Sequence, residues 1–162
     1  MKELNLFPDK NFWDGKNVFI SGHSGFKGGW LSLWLKELGA NVTGYSLEPN
    51  TKPSFYNACD IGSVTNSIFG NILDYKKLES SINKFKPEII IHMAAQALVL
   101  ESYKNPLNTY ETNIIGTLNI LEIIRNKSYV KVFINVTSDK CYENIEKKYS
   151  YKESDRMGGH DP

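Results

Sequence analysis

Apolar residues fall into two alternating spacings along this chain. Val18 to Ile20 is a short apolar run, after which Trp30, Leu31, Leu33, Trp34, Leu35 and Leu38 recur at helical spacing. Gly39 stops that helix, and Asn41 to Tyr45, with Val42, Thr43 and Tyr45, reads as a second strand. Residues 46–66 carry Pro49, Pro53 and Gly62 and predict no long element; a connection of this length implies a task or a covering neighbour. Ser67 to Asn71 is a short third strand. Asp74 caps a helix through about Lys84, with Leu78, Ile82 and Phe85 at i, i+4 and i+7, and Pro87 ends the segment. Glu88 to Met93 is almost continuously apolar, as strands buried on both faces of a parallel sheet are. Asn105-Pro106 precedes a long helix from Leu107 to Arg125, whose expected stripe is Ile114, Leu118, Leu121 and Ile123 or Ile124, with Gly116 at a close contact. Lys131 to Val136 is the last strand. Residues 1–16 read as an irregular leader in which Phe12 and Trp13 pack on the domain edge and Asp14-Gly15 turns into the first strand.

Strands alternating with helices predict a single α/β domain: a Rossmann-like, doubly wound parallel sheet in three α/β/α layers, with right-handed crossovers. Ligands of such sheets lie beyond the carboxyl ends of the strands. Four stretches converge there: Gly22 to Gly28, Asn71-Ile72, Ala94-Ala95-Gln96 and Thr137-Ser138-Asp139-Lys140. The first has glycines at three-residue steps, Gly22, Gly25 and Gly28, between a strand and a helix. Such a turn lets the backbone approach a pyrophosphate, and the helix start offers free N–H groups and partial positive charge. The G-x-x-G-x-x-G spacing is a variant of the dinucleotide fingerprint. The ribose partner expected about 20 residues on falls at Ser46, with Glu48 close behind. No arginine lies nearby to favour a 2′-phosphate, so NAD is expected rather than NADP. Ala94 and Ala95 leave room for the cofactor against the fourth strand, and His92 reads as a histidine of the core or one supporting the site from behind, not a catalyst. Ser138, Asp139 and Lys140 set a hydroxyl, an acid and an amine in a row at a strand end, where burying them without purpose is costly. An acid beside a base can add and remove protons at adjacent carbons. A lysine base requires a pKa lowered by burial or a neighbouring cation.

Bulk properties narrow the partners. The chain has 162 residues, 41% hydrophobic and 23% charged, and a net charge of +1. That is one soluble domain with no electrostatic case for nucleic acid or an anionic membrane surface. No run is long enough to span a membrane, and residues 1–16 lack the apolar core of a secretion signal. Cys59 and Cys141 lack metal-ligand spacing, so two free thiols in a reducing cytoplasm are expected, and no metal site.

Longer runs carry a resemblance. Ser21-Gly22-His23-Ser24-Gly25-Phe26-Lys27-Gly28, continuing into Trp30-Leu31-Ser32-Leu33-Trp34-Leu35, is similar to the N-terminal signature of CDP-glucose 4,6-dehydratases, in the extended short-chain dehydrogenase/reductase superfamily. Tyr45 to Pro49, His92 to Gln96, Thr112 to Thr117 and Thr137 to Asn144 match it too. The resemblance implies NAD as cofactor, CDP-glucose as substrate, CDP-4-keto-6-deoxyglucose as product, a place in lipopolysaccharide deoxysugar synthesis, and a homodimer built partly on the helix from Leu107 to Arg125. It implies that Ser138 hydrogen-bonds the sugar 4-oxygen, Asp139 protonates the departing 6-hydroxyl, and Lys140 takes the C5 proton where dTDP-glucose relatives have a glutamate. It puts the backbone of Phe26 and Lys27 on the pyrophosphate, with Gly22, Ser24, Gly25 and Gly28 in the same loop. Asn71 and Ile72 flank the adenine, Ala94, Ala95, Gln96 and Thr137 line the cofactor, and Thr112 and Asn113 lie on the nicotinamide side.

Some positions depart from the pattern: Asn71 stands for a common aspartate, Gly29 for a serine and Ser24 for a threonine. The sequence stops at Gly158-Gly159-His160-Asp161-Pro162, before the Tyr-x-x-x-Lys pair expected next; Tyr142, Tyr149 and Tyr151 are followed four residues on by Glu146, Glu153 and Asp155. The expected reading is therefore a cofactor-binding portion without its sugar-nucleotide lobe, inactive alone and exposing apolar sheet surface. Two other readings are an extended reductase such as a nucleotide-sugar epimerase, against which the Ser138-Asp139-Lys140 run argues, and a non-catalytic NAD-binding module.

Overall fold

The structure, a computed structural model, describes residues 8–146 and 148–159, and Asp139 by its backbone alone. The first seven residues of the expected leader, and residues 160–162, lie outside the described residues. Five parallel strands form one sheet in the order β3-β2-β1-β4-β5: β1 Asn17–Ser21, β2 Asn41–Ser46, β3 Asn66–Phe69, β4 Ile89–His92 and β5 Val132–Asn135. The register sets Ser21 beside Tyr45 and His92, and His92 beside Asn135, so the strand ends form one rim. The order reverses between β1 and β4, the crevice where this class of sheet takes its ligands.

Alternate residues of each strand feed opposite faces, as strand geometry requires. Phe19, Tyr45 and Ile90 join Leu78, Ile82, Ile120 and Ile123 on one face. Val18, Ile20, Val42, Ile89 and Ile91 join Leu35 on the other. The first face is covered by α5 (Tyr75–Phe85) and α8 (Gly116–Ile124), the second by α2 (Phe26–Glu37). Asp74 caps α5 by accepting from the Lys77 N–H at 3.1 Å.

Several local expectations need correction. In α2 the buried line is Gly28, Gly29, Ser32 and Leu35, while Trp30 and Trp34 lie 56% and 54% exposed. Small residues let α2 approach the end of β1, which turns the indoles outward, Trp30 onto Phe55. The long helix is α7 (Pro106–Tyr110), a π-turn at Glu111–Ile115 and α8. Its buried residues are Gly116, Ile120 and Ile123, whereas Ile114, Leu118 and Leu121 are exposed. Both sets are spaced i, i+4, i+7, so periodicity could not choose between them. Gly116 decides: a Cβ there would lie 2.6 Å from Ile72 Cγ2, so only the glycine face can dock. The irregular segment contains two helical turns, α3 (Phe55–Ala58) and α4 (Ile61–Val64), and the described part of the leader contains α1 (Lys10–Trp13). Trp13 packs on the second cluster as expected; Phe12 is half exposed. An unforeseen helix, α6 (Val99–Lys104), precedes α7. At the β5 edge Val132, Ile134 and Val136 are exposed, as expected of apolar sheet surface, and both cysteines are free and exposed. Among the described residues no helix is long and apolar enough to cross a membrane, and no three His, Cys, Asp or Glu gather as a metal would need.

Candidate functional site

The glycine loop joins β1 to α2, and its three glycines do different things. Gly22 sits at φ +84°, donates its N–H to the Tyr45 carbonyl at 2.8 Å, and leaves no room for a side chain, since a Cβ would lie 2.8 Å from the Ala94 nitrogen. Gly25 is the N-cap of α2 and brings no capping side chain; the first turn holds no acid. Gly28 is buried, and a Cβ would lie 2.1 Å from the Gly22 carbonyl oxygen. Its place is helix-to-strand contact rather than an open surface. Phe26 and Lys27 are exposed in the first turn, and the Ser24 hydroxyl ties the loop to β2 by donating to the Leu47 carbonyl at 2.8 Å. A bare twelve-residue helix start beside a glycine cradle fits a diphosphate.

His23 anchors this loop from behind. It is fully buried, with Nδ1 2.9 Å from Ser46 Oγ and Nε2 3.0 Å from Ser67 Oγ, and burial pushes its pKa down to about 4. Thr65 donates to the Ile61 carbonyl and so accepts from Ser67, which in turn accepts from Tyr56 and from His23 Nε2–H; Nδ1 therefore accepts from Ser46. The Ser46 hydroxyl, expected at the ribose, is thus turned inward at 5% exposure because it satisfies a buried imidazole. The acid beside the loop is Glu48, which shares a cavity of about 440 Å³ with Ser24, Gly25 and Phe26.

At the end of β3 the expected pair splits. Asn71 is exposed, with its Oδ1 accepting from the Leu73 N–H at 2.9 Å. Ile72 is buried against Gly116, and its carbonyl accepts from Asn119 Nδ2 at 3.1 Å. The ends of β4 and β5 and the π-turn enclose a second, larger cleft of about 1030 Å³. It brings together Ala94, Ala95, Gln96, Asn113, Thr137, Ser138 and Lys140, all expected at a site. Thr112 is half-buried in the π-turn and lines neither cavity. Ser138 Oγ accepts from the Lys140 N–H at 3.2 Å at the start of a 3₁₀ turn, Asp139–Cys141. Lys140 itself is exposed on the rim. The Asp139 side chain lies outside the described residues.

Comparison with known proteins places the chain in a family. The family model described as GDP-mannose 4,6 dehydratase matches residues 19–162. The chain belongs to that family. Within the GDP-mannose 4,6 dehydratase family and its relatives, a CDP-glucose 4,6-dehydratase of Salmonella typhimurium is 51% identical over 95% of this chain. The match spans 43% of that relative, so the chain covers under half its length. A UDP-glucose 4-epimerase structure from Thermotoga maritima, with UDP-glucose, is 27% identical with a TM-score of 0.75 over 88% of this chain and 44% of that one. A dTDP-glucose 4,6-dehydratase structure from Bacillus anthracis, in complex with NAD, is 22% identical and shares the fold, with a TM-score of 0.73 over 91% of this chain and 46% of that one.

One feature of this family member's cleft escaped the sequence. Tyr142 and Tyr151 stack along it with centroids 5.1 Å apart and planes 8° from parallel. The signal was the tyrosine-rich stretch 142–151, read only for a missing lysine partner. His92 is 3% exposed, in keeping with a core or supporting histidine, and lines the cleft floor with Thr117.

Proposed function

We propose that this chain is the cofactor-binding part of an NAD-dependent nucleotide-sugar 4,6-dehydratase whose substrate is CDP-glucose. The observation that carries the reading is the 51% identity, over 95% of this chain, to the Salmonella typhimurium enzyme. The helix start at Gly25 would hold the cofactor diphosphate, with Glu48 at the ribose and the Ala94–Gln96 segment under the reactive half. NAD, when bound there, supplies the acceptor and later the donor of the hydride.

Ser138 then hydrogen-bonds the sugar 4-oxygen, and Asp139 gives a proton to the departing 6-hydroxyl. Lys140 takes the proton from C5, which the adjoining 4-carbonyl acidifies. Lys140 is exposed in the free chain, and a bound sugar nucleotide is what would cover it. No Tyr-x-x-x-Lys pair occurs in the 162 residues, so nothing here removes the 4-hydroxyl proton, and the isolated chain is read as binding-competent but inactive. In the complete enzyme we place a homodimer contact on the exposed Ile114-Leu118-Leu121 stripe.

Titration of the purified chain with NAD, followed by calorimetry, tests the shared premise: saturable binding supports it and none removes it. Sequencing the gene beyond codon 162 and assaying the extended protein on CDP-glucose tests the rest. Formation of the 4-keto-6-deoxy product is the expected outcome, and a 4-epimer would overturn it.

A further inference from the structure

A closed ring of hydrogen bonds runs beneath the larger cleft. Ser21 Oγ accepts from the N–H groups of Met93 and Ala94, each at 3.1 Å, and meets Nδ1 of His92. Nε2 of His92 lies 3.0 Å from Thr117 Oγ1. Thr117 donates to the Asn113 carbonyl at 2.7 Å. The Asn113 side chain clasps the Gln96 backbone from both sides, accepting its N–H at 2.8 Å and donating to its carbonyl at 3.1 Å. The chain from Ala94 to Gln96 completes the circuit.

The proton positions follow from chemistry. The Thr117 proton is committed to Asn113, so toward His92 its oxygen accepts and Nε2 carries the hydrogen. A neutral imidazole protonated on Nε2 accepts at Nδ1, so Ser21 donates there and keeps its lone pairs for Met93 and Ala94. The imidazole plane is held by stacking over Phe133, centroids 6.5 Å apart at 22°. The ring joins β1 and β4 to the π-turn: His92 reaches Ser21 directly and Asn113 by way of Thr117 in α8.

We infer that His92 is a positioning residue: by coupling Ser21 to Thr117 it fixes Ala94–Gln96, the ledge between the glycine loop and the Ser138–Lys140 rim. This deepens the cofactor reading above and rests on it. Hydrogen-bond rings are cooperative, so opening one link loosens the others. Thr117→Val removes a link that touches neither Ala94 nor Gln96.

Amide hydrogen exchange and NAD titration on the 162-residue chain test this. Thr117→Val should speed exchange at both Ala94 and Gln96 and weaken NAD binding by about tenfold, the loss of roughly one such bond. Exchange in α5 should stay unchanged, and Thr117→Ser should restore both readings. Faster exchange only at Gln96, or an equal rise throughout the chain, overturns the ring. NAD binding that Thr117→Val leaves intact overturns the positioning role alone. Failure of the native chain to bind NAD overturns the cofactor reading and this role with it. Should Thr117→Val not fold, the His92 side-chain nitrogen spectrum of the native chain decides, because a proton on Nδ1 is incompatible with the ring.

Discussion

The imidazole of His23 occupies the space that a side chain at Gly44 would need: a Cβ there would lie 2.1 Å from the ring's Cγ. A residue of the glycine loop is thereby seated on the neighbouring strand, and the loop's shape depends on a glycine more than twenty residues away. Gly44→Ala should push His23 off Ser46 and Ser67. Overpacking of this kind costs about 1–3 kcal/mol. A lowered melting temperature together with weaker NAD binding is the expected result; an unchanged melting temperature would show that the ring is not confined there.

The two buried histidines set a pH dependence. Burial holds His23 and His92 at about 4, down from 6.5. Between those values the unfolded chain binds more protons than the folded one, so their contribution is whole above pH 6.5 and declines as the pH falls toward 4. Each can account for up to about 3 kcal/mol across that window. Urea unfolding from pH 7 to 4 should show the decline, and replacing either histidine with glutamine should flatten it.

The two stripes along the π-turn and α8 should respond differently to substitution. Ile120→Ala empties a fully buried site and should cost about 2–5 kcal/mol. Ile114→Gln changes an exposed position and should stay within about 0.5 kcal/mol for the isolated chain. Equal losses in denaturant unfolding would mean that the second stripe is also packed.

Lys140→Met in an extended, active protein should leave NAD affinity intact while abolishing water elimination. Stopped-flow absorbance of the reduced cofactor together with product analysis separates the two steps. Wild-type turnover in that variant would remove the proton-transfer role given to Lys140.

Much of this molecule could be read from the chain because its architecture is written in local spacing. Continuous runs such as Ile89–Ile91 and the Asp74 cap are decided within a few residues. Features decided by distant partners could not be read. Ser46 looked like a ribose ligand because nothing local reveals that His23 is folded back onto it. The choice between the Ile120 and Ile114 stripes depends on Ile72 meeting Gly116, some forty residues apart. That the Ala94–Gln96 and Thr137–Lys140 stretches meet along one cleft was legible because both sit at strand ends. His92 was legible as a buried, non-catalytic histidine, but its partners Ser21 and Thr117, 71 and 25 residues away, were not.

The π-turn at Glu111–Ile115 works as a phase shifter. A π-turn accommodates one residue more than an α-turn, and each residue advances an α-helix by about 100°. Wound as a regular α-helix with the same residues, the chain would swing everything after this point by about that angle and carry Gly116 away from Ile72; the wide turn absorbs the surplus residue and prevents it. Whichever side of α8 meets the sheet is thus settled by one surplus residue rather than by the apolar content of either side.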